Sequence, residues 1–114
     1  MFNTLTLVGR LTRDAELGTV PGERSAPRVR FTLAVDREYG VGDDEMPTDF
    51  WPCELVGEEG PRLAVFLTKG RLLLVHGSAQ IDERRDEGGA YRVFPHVRVR
   101  QVRFLDRAAS PRAG

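Results

Sequence analysis

The chain has 114 residues, 40% of them hydrophobic, and its seventeen basic and seventeen acidic side chains cancel to zero formal charge at pH 7. That length sets one domain rather than two, and the neutral balance argues against a protein that holds polyanions through bulk charge. No stretch reaches the roughly 20 apolar residues of a membrane span, and M-F-N-T-L-T-L-V-G-R lacks the basic and apolar regions of a signal peptide, so a cytoplasmic location is expected.

Residues 2 to 11, rich in Leu, Val and Thr, predict a first strand, and the Gly- and Pro-punctuated run T-R-D-A-E-L-G-T-V-P-G-E-R-S-A-P predicts a long connection. Residues 28 to 37, R-V-R-F-T-L-A-V-D-R, alternate: Val29, Phe31, Leu33 and Val35 fall on one face, and Arg28, Arg30, Thr32, Ala34 and Asp36 on the other. E-Y-G-V-G-D-D-E-M-P forms a polar tip, after which residues 48 to 57 return as the third strand of a hairpin. In G-P-R-L-A-V-F-L-T-K-G, Leu63, Ala64, Phe66 and Leu67 fall at helical spacing. Pro61 suits the first helical position and Gly70 a left-handed cap, so about two turns of helix are expected.

R-L-L-L-V-H-G-S-A-Q-I reads as a fourth strand, followed by the polar link D-E-R-R-D-E-G-G-A-Y-R with Gly88-Gly89 at a tight turn. A fifth strand runs from Tyr91 to Leu105. Val97 and Val99 lie on one phase of it and Val102 and Phe104 on the other, which predicts a bulge or bend near Arg100-Gln101. Residues 107 to 114 read as a short flexible end. The result is an all-β chain of five strands, with one short helix between the third and fourth and two protruding hairpin arms. Strand number alone also fits an SH3-like barrel or a meander; the position of the helix favours an oligonucleotide-binding (OB) barrel over residues 1 to 106.

Charge is distributed unevenly. Gly40 to Gly60 holds seven acidic residues and no basic one, whereas residues 92 to 112 hold Arg92, Arg98, Arg100, Arg103, Arg107 and Arg112 against Asp106 alone. Arg28 and Arg30 share the wet face of the second strand, and Arg98 and Arg100 share one phase of the fifth. They are either a comb of phosphate contacts, if those faces line one groove, or a solvated face paired with Asp36 and its neighbours. Arg10, Arg37, Lys69 and Arg85 are further candidates for backbone contacts. Within T-D-F-W-P-C-E-L, neighbours point to opposite faces: Trp51, Cys53 and Leu55 form the apolar phase, and Thr48, Phe50, Pro52 and Glu54 the mixed one. Trp51 is therefore expected in the core or at a subunit contact, and Phe50 on an exposed binding face.

Catalysis is not indicated. His76 and His96 lie between apolar neighbours and suit packing or an interface, no nucleophile has a positioned partner, and the glycines in G-E-E-G and G-V-G lack the lysine and hydroxyl of a phosphate loop. Cys53 is the only cysteine, which excludes an internal disulfide, and nothing has zinc or iron spacing, so a buried thiol and no metal or other cofactor are expected.

The stretches N-T-L-T-L-V-G-R-L-T-R-D-A-E-L, V-R-F-T-L-A-V-D-R, T-D-F-W-P-C, L-T-K-G-R-L-L-L-V-H-G and V-R-V-R-Q-V-R-F-L-D together resemble the bacterial single-stranded DNA-binding protein family, in order, from about residue 2 to 106. The resemblance implies an OB fold that forms homo-oligomers, dimers or tetramers, in the bacterial cytosol. Such proteins bind single-stranded DNA without sequence preference, in replication, repair and recombination. It also implies that residues 37 to 48 and 81 to 92 are arms gripping the strand, with Tyr39 and Phe50 as stacking rings and no enzymatic activity. Two departures stand out. Val56 occupies a position where the family usually has a ring, and Arg84 follows Asp82 and Glu83 in an arm that usually carries basic and aromatic residues. They predict weak binding that fades early as salt rises, because fewer phosphate contacts release fewer counterions. If R-A-A-S-P-R-A-G is the natural terminus, the acidic tip that recruits partners in long family members is absent, which fits a short accessory paralogue or primosome-type relative. The alternative function is an OB-fold assembly module with little or no DNA binding, favoured by the neutral charge and the acidic first arm.

Overall fold

The computed structural model describes residues 1–20, 26–38 and 47–107. The elements run β1 (Leu5–Leu11), β2 (Glu16–Thr19), β3 (Pro27–Asp36), β4 (Thr48–Val56), α1 (Glu59–Ala64), β5 (Leu72–Arg85) and β6 (Tyr91–Phe104). The strands form one sheet in the order β1-β5-β6-β4-β3-β2, and β1 pairs with β3 as well. That extra pairing, Arg10 opposite Ala34 and Leu11 opposite Leu33, closes a ring of hydrogen-bonded strands β1-β5-β6-β4-β3, the arrangement of an OB fold.

The alternation of residues 28 to 37 becomes β3, which pairs antiparallel with β4 along its length from Arg28 opposite Val56 to Asp36 opposite Thr48. Val29, Phe31 and Leu33 are buried, and with Leu11, Cys53, Leu55, Leu67, Leu73, Val75, Val97 and Val99 they make the core inside the ring. Trp51 packs against this cluster while Phe50 faces outward at 65% exposure, so adjacent rings on one strand do separate work. Cys53 is buried, as its apolar phase requires, and burial pushes its thiol up to about 12.

Three sequence expectations are corrected. The connection after the first strand contains β2, which pairs with the first half of β3 from Glu16 opposite Arg30 to Thr19 opposite Pro27. β1 and β2 thus take the same edge of β3 in succession, joined by the Thr12 amide donating to the Thr32 carbonyl (3.1 Å), and behave as one bent first strand. All four residues of β2 are exposed, so E-L-G-T carries no alternating signal; backbone pairing alone makes it a strand. The helix is also shorter and earlier than expected. It spans six residues from Glu59, and Phe66 and Leu67 donate to the carbonyls of Leu63 and Ala64, three residues back. Gly70 does adopt a positive φ of 86°, but in the link to β5, where its amide reaches the Leu11 carbonyl, and not as the helix cap. Finally, most of the supposed link after the fourth strand belongs to the strand: β5 continues to Arg85, and the turn occupies residues 86 to 90, held by the Asp86 carboxylate accepting from the Gly88 and Ala90 amides.

The bulge falls where the parity of the last strand demands it. His76 pairs with Gln101 and the next residue, Gly77, with Val99, leaving Arg100 as the extra residue. Before it, Val97 and Val99 point into the core; after it, Val102 and Phe104 do. The strands approach so closely here that a Cβ on Gly77 would lie 2.0 Å from the Arg98 carbonyl oxygen. Among the described residues no helix is long and apolar enough to cross a membrane.

Candidate nucleic-acid interface

Strand register decides which side chains meet on the outer face. Reading across the sheet, Glu16 on β2 stands opposite Arg30 on β3, Arg30 opposite Glu54 on β4, Glu54 opposite Arg98 on β6, and Arg98 opposite Ser78 on β5. Paired residues share a face, so charges alternate in a row across four strands. The contacts follow. Arg98 Nη1 lies 3.3 Å from Glu54 Oε1, Arg28 Nη1 3.5 Å from Glu54 Oε2, and Arg30 Nη2 3.9 Å from Glu16 Oε2.

This row crosses an open groove of about 800 Å³ walled by β2, β3 and β4 on one side and the β5–β6 arm on the other. Arg13, Arg28, Arg30 and Arg84 line it together with Asp14, Glu16, Glu54 and Asp82, so its cations are matched by carboxylates. The arm contributes a ring: Phe94, 42% exposed, carries the Arg84 guanidinium 4.4 Å from its centroid. Beside it His96 is half-buried, with Nδ1 3.7 Å from Asp82. Phe50 lies further along the same outward phase of β4, opposite Ala34, which in turn stands opposite Arg10. The face thus offers flat aromatic and guanidinium surfaces beside cations, the equipment for holding stacked bases and a phosphate chain.

A family model described as the single-strand binding protein family matches residues 2–105. The chain belongs to that family. It is 39% identical over 109 residues to the single-stranded DNA-binding protein of Thermotoga maritima, an alignment covering 93% of this chain and 75% of that one. Against single-stranded DNA-binding protein A of Bacillus subtilis it is 35% identical over 106 residues, covering 93% and 60%. In fold it is similar to a solved structure of the Plasmodium falciparum SSB complex with ssDNA, with a TM-score of 0.77 at 19% identity, covering 93% of this chain and 96% of that one.

Against the family's expected site, the register sorts the candidates. Arg28, Arg30 and Arg84 line the groove and Arg98 joins it through Glu54, so the two arginine-bearing strand faces do meet. They meet already paired with carboxylates, and the partners are Glu54 and Glu16 rather than Asp36, which accepts from the Thr48 hydroxyl. Arg10 shares the row of Phe50 and donates to the Gly70 carbonyl (2.9 Å). Arg37 follows β3 directly, and its Nε and Nη2 grip both oxygens of Asp49 (2.9 and 3.0 Å) and hold that carboxyl below its usual range. Lys69 and Arg85 do not line the groove; Arg85 points to the opposite side of the arm, near the Tyr91 ring and the Gly89 carbonyl. Tyr39 lies outside the described residues.

Sequence reasoning did not place Phe94 or Arg13 in the groove and gave His96 to packing or an interface, whereas all three line it. The signal for Phe94 and His96 was present: Arg92, Phe94, His96 and Arg98 alternate along β6 ahead of the bulge, with Val97 and Val99 on the opposite, buried phase. Tyr91, on the far side of the arm, donates its hydroxyl to Glu83, which raises the phenol's pKa.

Proposed function

We propose that this chain binds single-stranded DNA without sequence preference, as a binding protein rather than an enzyme, in replication, repair or recombination. The observation that carries the reading is the shared outward face of Phe50, Phe94 and the arginines of β3, β6 and the arm. Bases stack on Phe50 and Phe94, with Tyr39 as a further ring, while Arg28, Arg30, Arg84 and Arg98 meet the backbone. Arg10 and Arg37 extend that path toward the first arm. Residues 1–106 act as the binding domain; the expected end at 107–114 lies, beyond residue 107, outside the described residues.

A homo-oligomer, dimer or tetramer, is supported by β1: between Leu5 and Gly9 it pairs only with β5 among the described residues, and Val8 and Phe2 are exposed beside that edge. The matched charges of the groove favour weak binding, and they are the observation behind the second reading, an assembly module with little DNA affinity.

Fluorescence anisotropy with labelled oligothymidine at low salt, beside light scattering on a sizing column, tests these readings. Saturable binding that fades early with salt is expected, together with a mass of two or four chains. No binding at low salt with an intact oligomer would favour the assembly module.

A further inference from the structure

The position of Glu54 carries a consequence for what the groove accepts. Its two oxygens each hold one arginine, Oε2 on Arg28 and Oε1 on Arg98, and the side chain is only 22% exposed. A single anionic group bridging two guanidinium groups is the geometry a backbone phosphate oxygen pair would take. At the edge of the row Glu16 makes a single, looser contact with Arg30 (3.9 Å). We infer that Glu54 is a specificity-determining residue that stands in for a backbone phosphate between Arg28 and Arg98. This inference rests on the single-stranded DNA reading and sharpens what the site selects.

The physical logic is exchange. A phosphate that enters must displace the carboxylate or share its arginines with it, so the ionic contact formed is offset by the one given up, and few counterions are released. Stacking on rings is not offset in this way. Binding therefore draws on bases, and a polyanion without accessible bases gains little from the groove. The carboxylate supplies the repulsive half of selectivity, against strands whose bases are missing or already paired. The chain's zero formal charge leaves no bulk attraction to override it.

The test uses the full chain and E54Q, which keeps the side-chain size and removes the charge. Binding of oligothymidine and of an abasic oligomer of equal length is measured across a salt series. If one backbone phosphate takes the place of the carboxylate between the two arginines, the slope of log affinity against log salt steepens by about 0.7, the value per phosphate on a single strand. Between 50 and 200 mM salt that makes the affinity of E54Q fall about 2.6-fold more than that of the parent. The abasic oligomer, bound by the parent only marginally, should bind E54Q measurably at low salt. Thermal melting establishes that E54Q folds; should it not, E16Q at the exposed end of the row frees Arg30 and steepens the slope by up to about 0.7. If the parent binds oligothymidine and the folded variant shows an unchanged slope and no gain on the abasic strand, Glu54 is only a strut and the inference is overturned, with the DNA reading intact. Binding by E54Q alone supports it. Binding by neither protein overturns both.

Discussion

Replacing Phe50 by alanine separates binding from stability. The ring is 65% exposed, so about one third of its surface is covered; since full burial of a Phe side chain contributes about 1.5 to 3 kcal/mol, its removal should cost about 1 kcal/mol of stability or less. A base stacked on an aromatic ring contributes about 1 to 3 kcal/mol, which converts to an affinity about 5- to 150-fold weaker. Trp51→Ala, one residue on, should behave oppositely. That ring packs against the buried cluster, and truncating a buried Trp costs about 3 to 5 kcal/mol, with the lower end expected for a partly buried one. Anisotropy with labelled oligothymidine at low salt and urea unfolding read the two effects. Phe50→Ala retaining parental affinity, or losing as much stability as Trp51→Ala, would refute the assignment of the two faces.

Gly77→Ala should destabilise the fold by about 3 kcal/mol in urea unfolding, because the added methyl meets the Arg98 backbone at the bulge and backbone cannot turn aside as a side chain can. Cys53 should resist thiol reagents at pH 8 until the protein unfolds. Its raised pKa stabilises the fold fully below the ordinary thiol value of 9.0, and that contribution is lost as pH climbs toward about 12, so melting temperature should fall more steeply over that window than in Cys53→Ala. Asp106 accepts from Arg71 Nε (2.8 Å) and the Leu72 amide (3.1 Å), with Arg71 lying over the Phe104 ring, and these contacts hold its carboxyl below the usual value of 3.8. The resulting stability is present above that pH and lost as pH falls through the lowered value. Asp106→Asn should therefore melt earlier than the parent at pH 7, and the gap should close as the solution is acidified toward pH 3.

Much of the fold was legible in the sequence because its signals are local. The period-two pattern of residues 28 to 37 needs no partner to show which face is buried, and the same rule separated Phe50 from Trp51. The parity flip between Val99 and Val102 placed a bulge or bend near Arg100-Gln101, and the register makes Arg100 the extra residue. What escaped had no side-chain pattern: E-L-G-T is a strand because β3 offers it an edge, and the arm strands are exposed on both faces, so their polar residues read as a link.

The site divides along the same line. Sequence alone determined that Phe50 faces out, that Arg28 and Arg30 share a face, and that the charges are unevenly spread along a neutral chain. Only the tertiary structure decided that Glu16, Arg30, Glu54 and Arg98, drawn from four strands, stand in one row, and that Arg84 lies on Phe94. The physical reason is register. A strand's own alternation fixes which way a side chain points, but its neighbour across the sheet is set by how strands distant in sequence align, and in this groove that alignment places a carboxylate between the arginines.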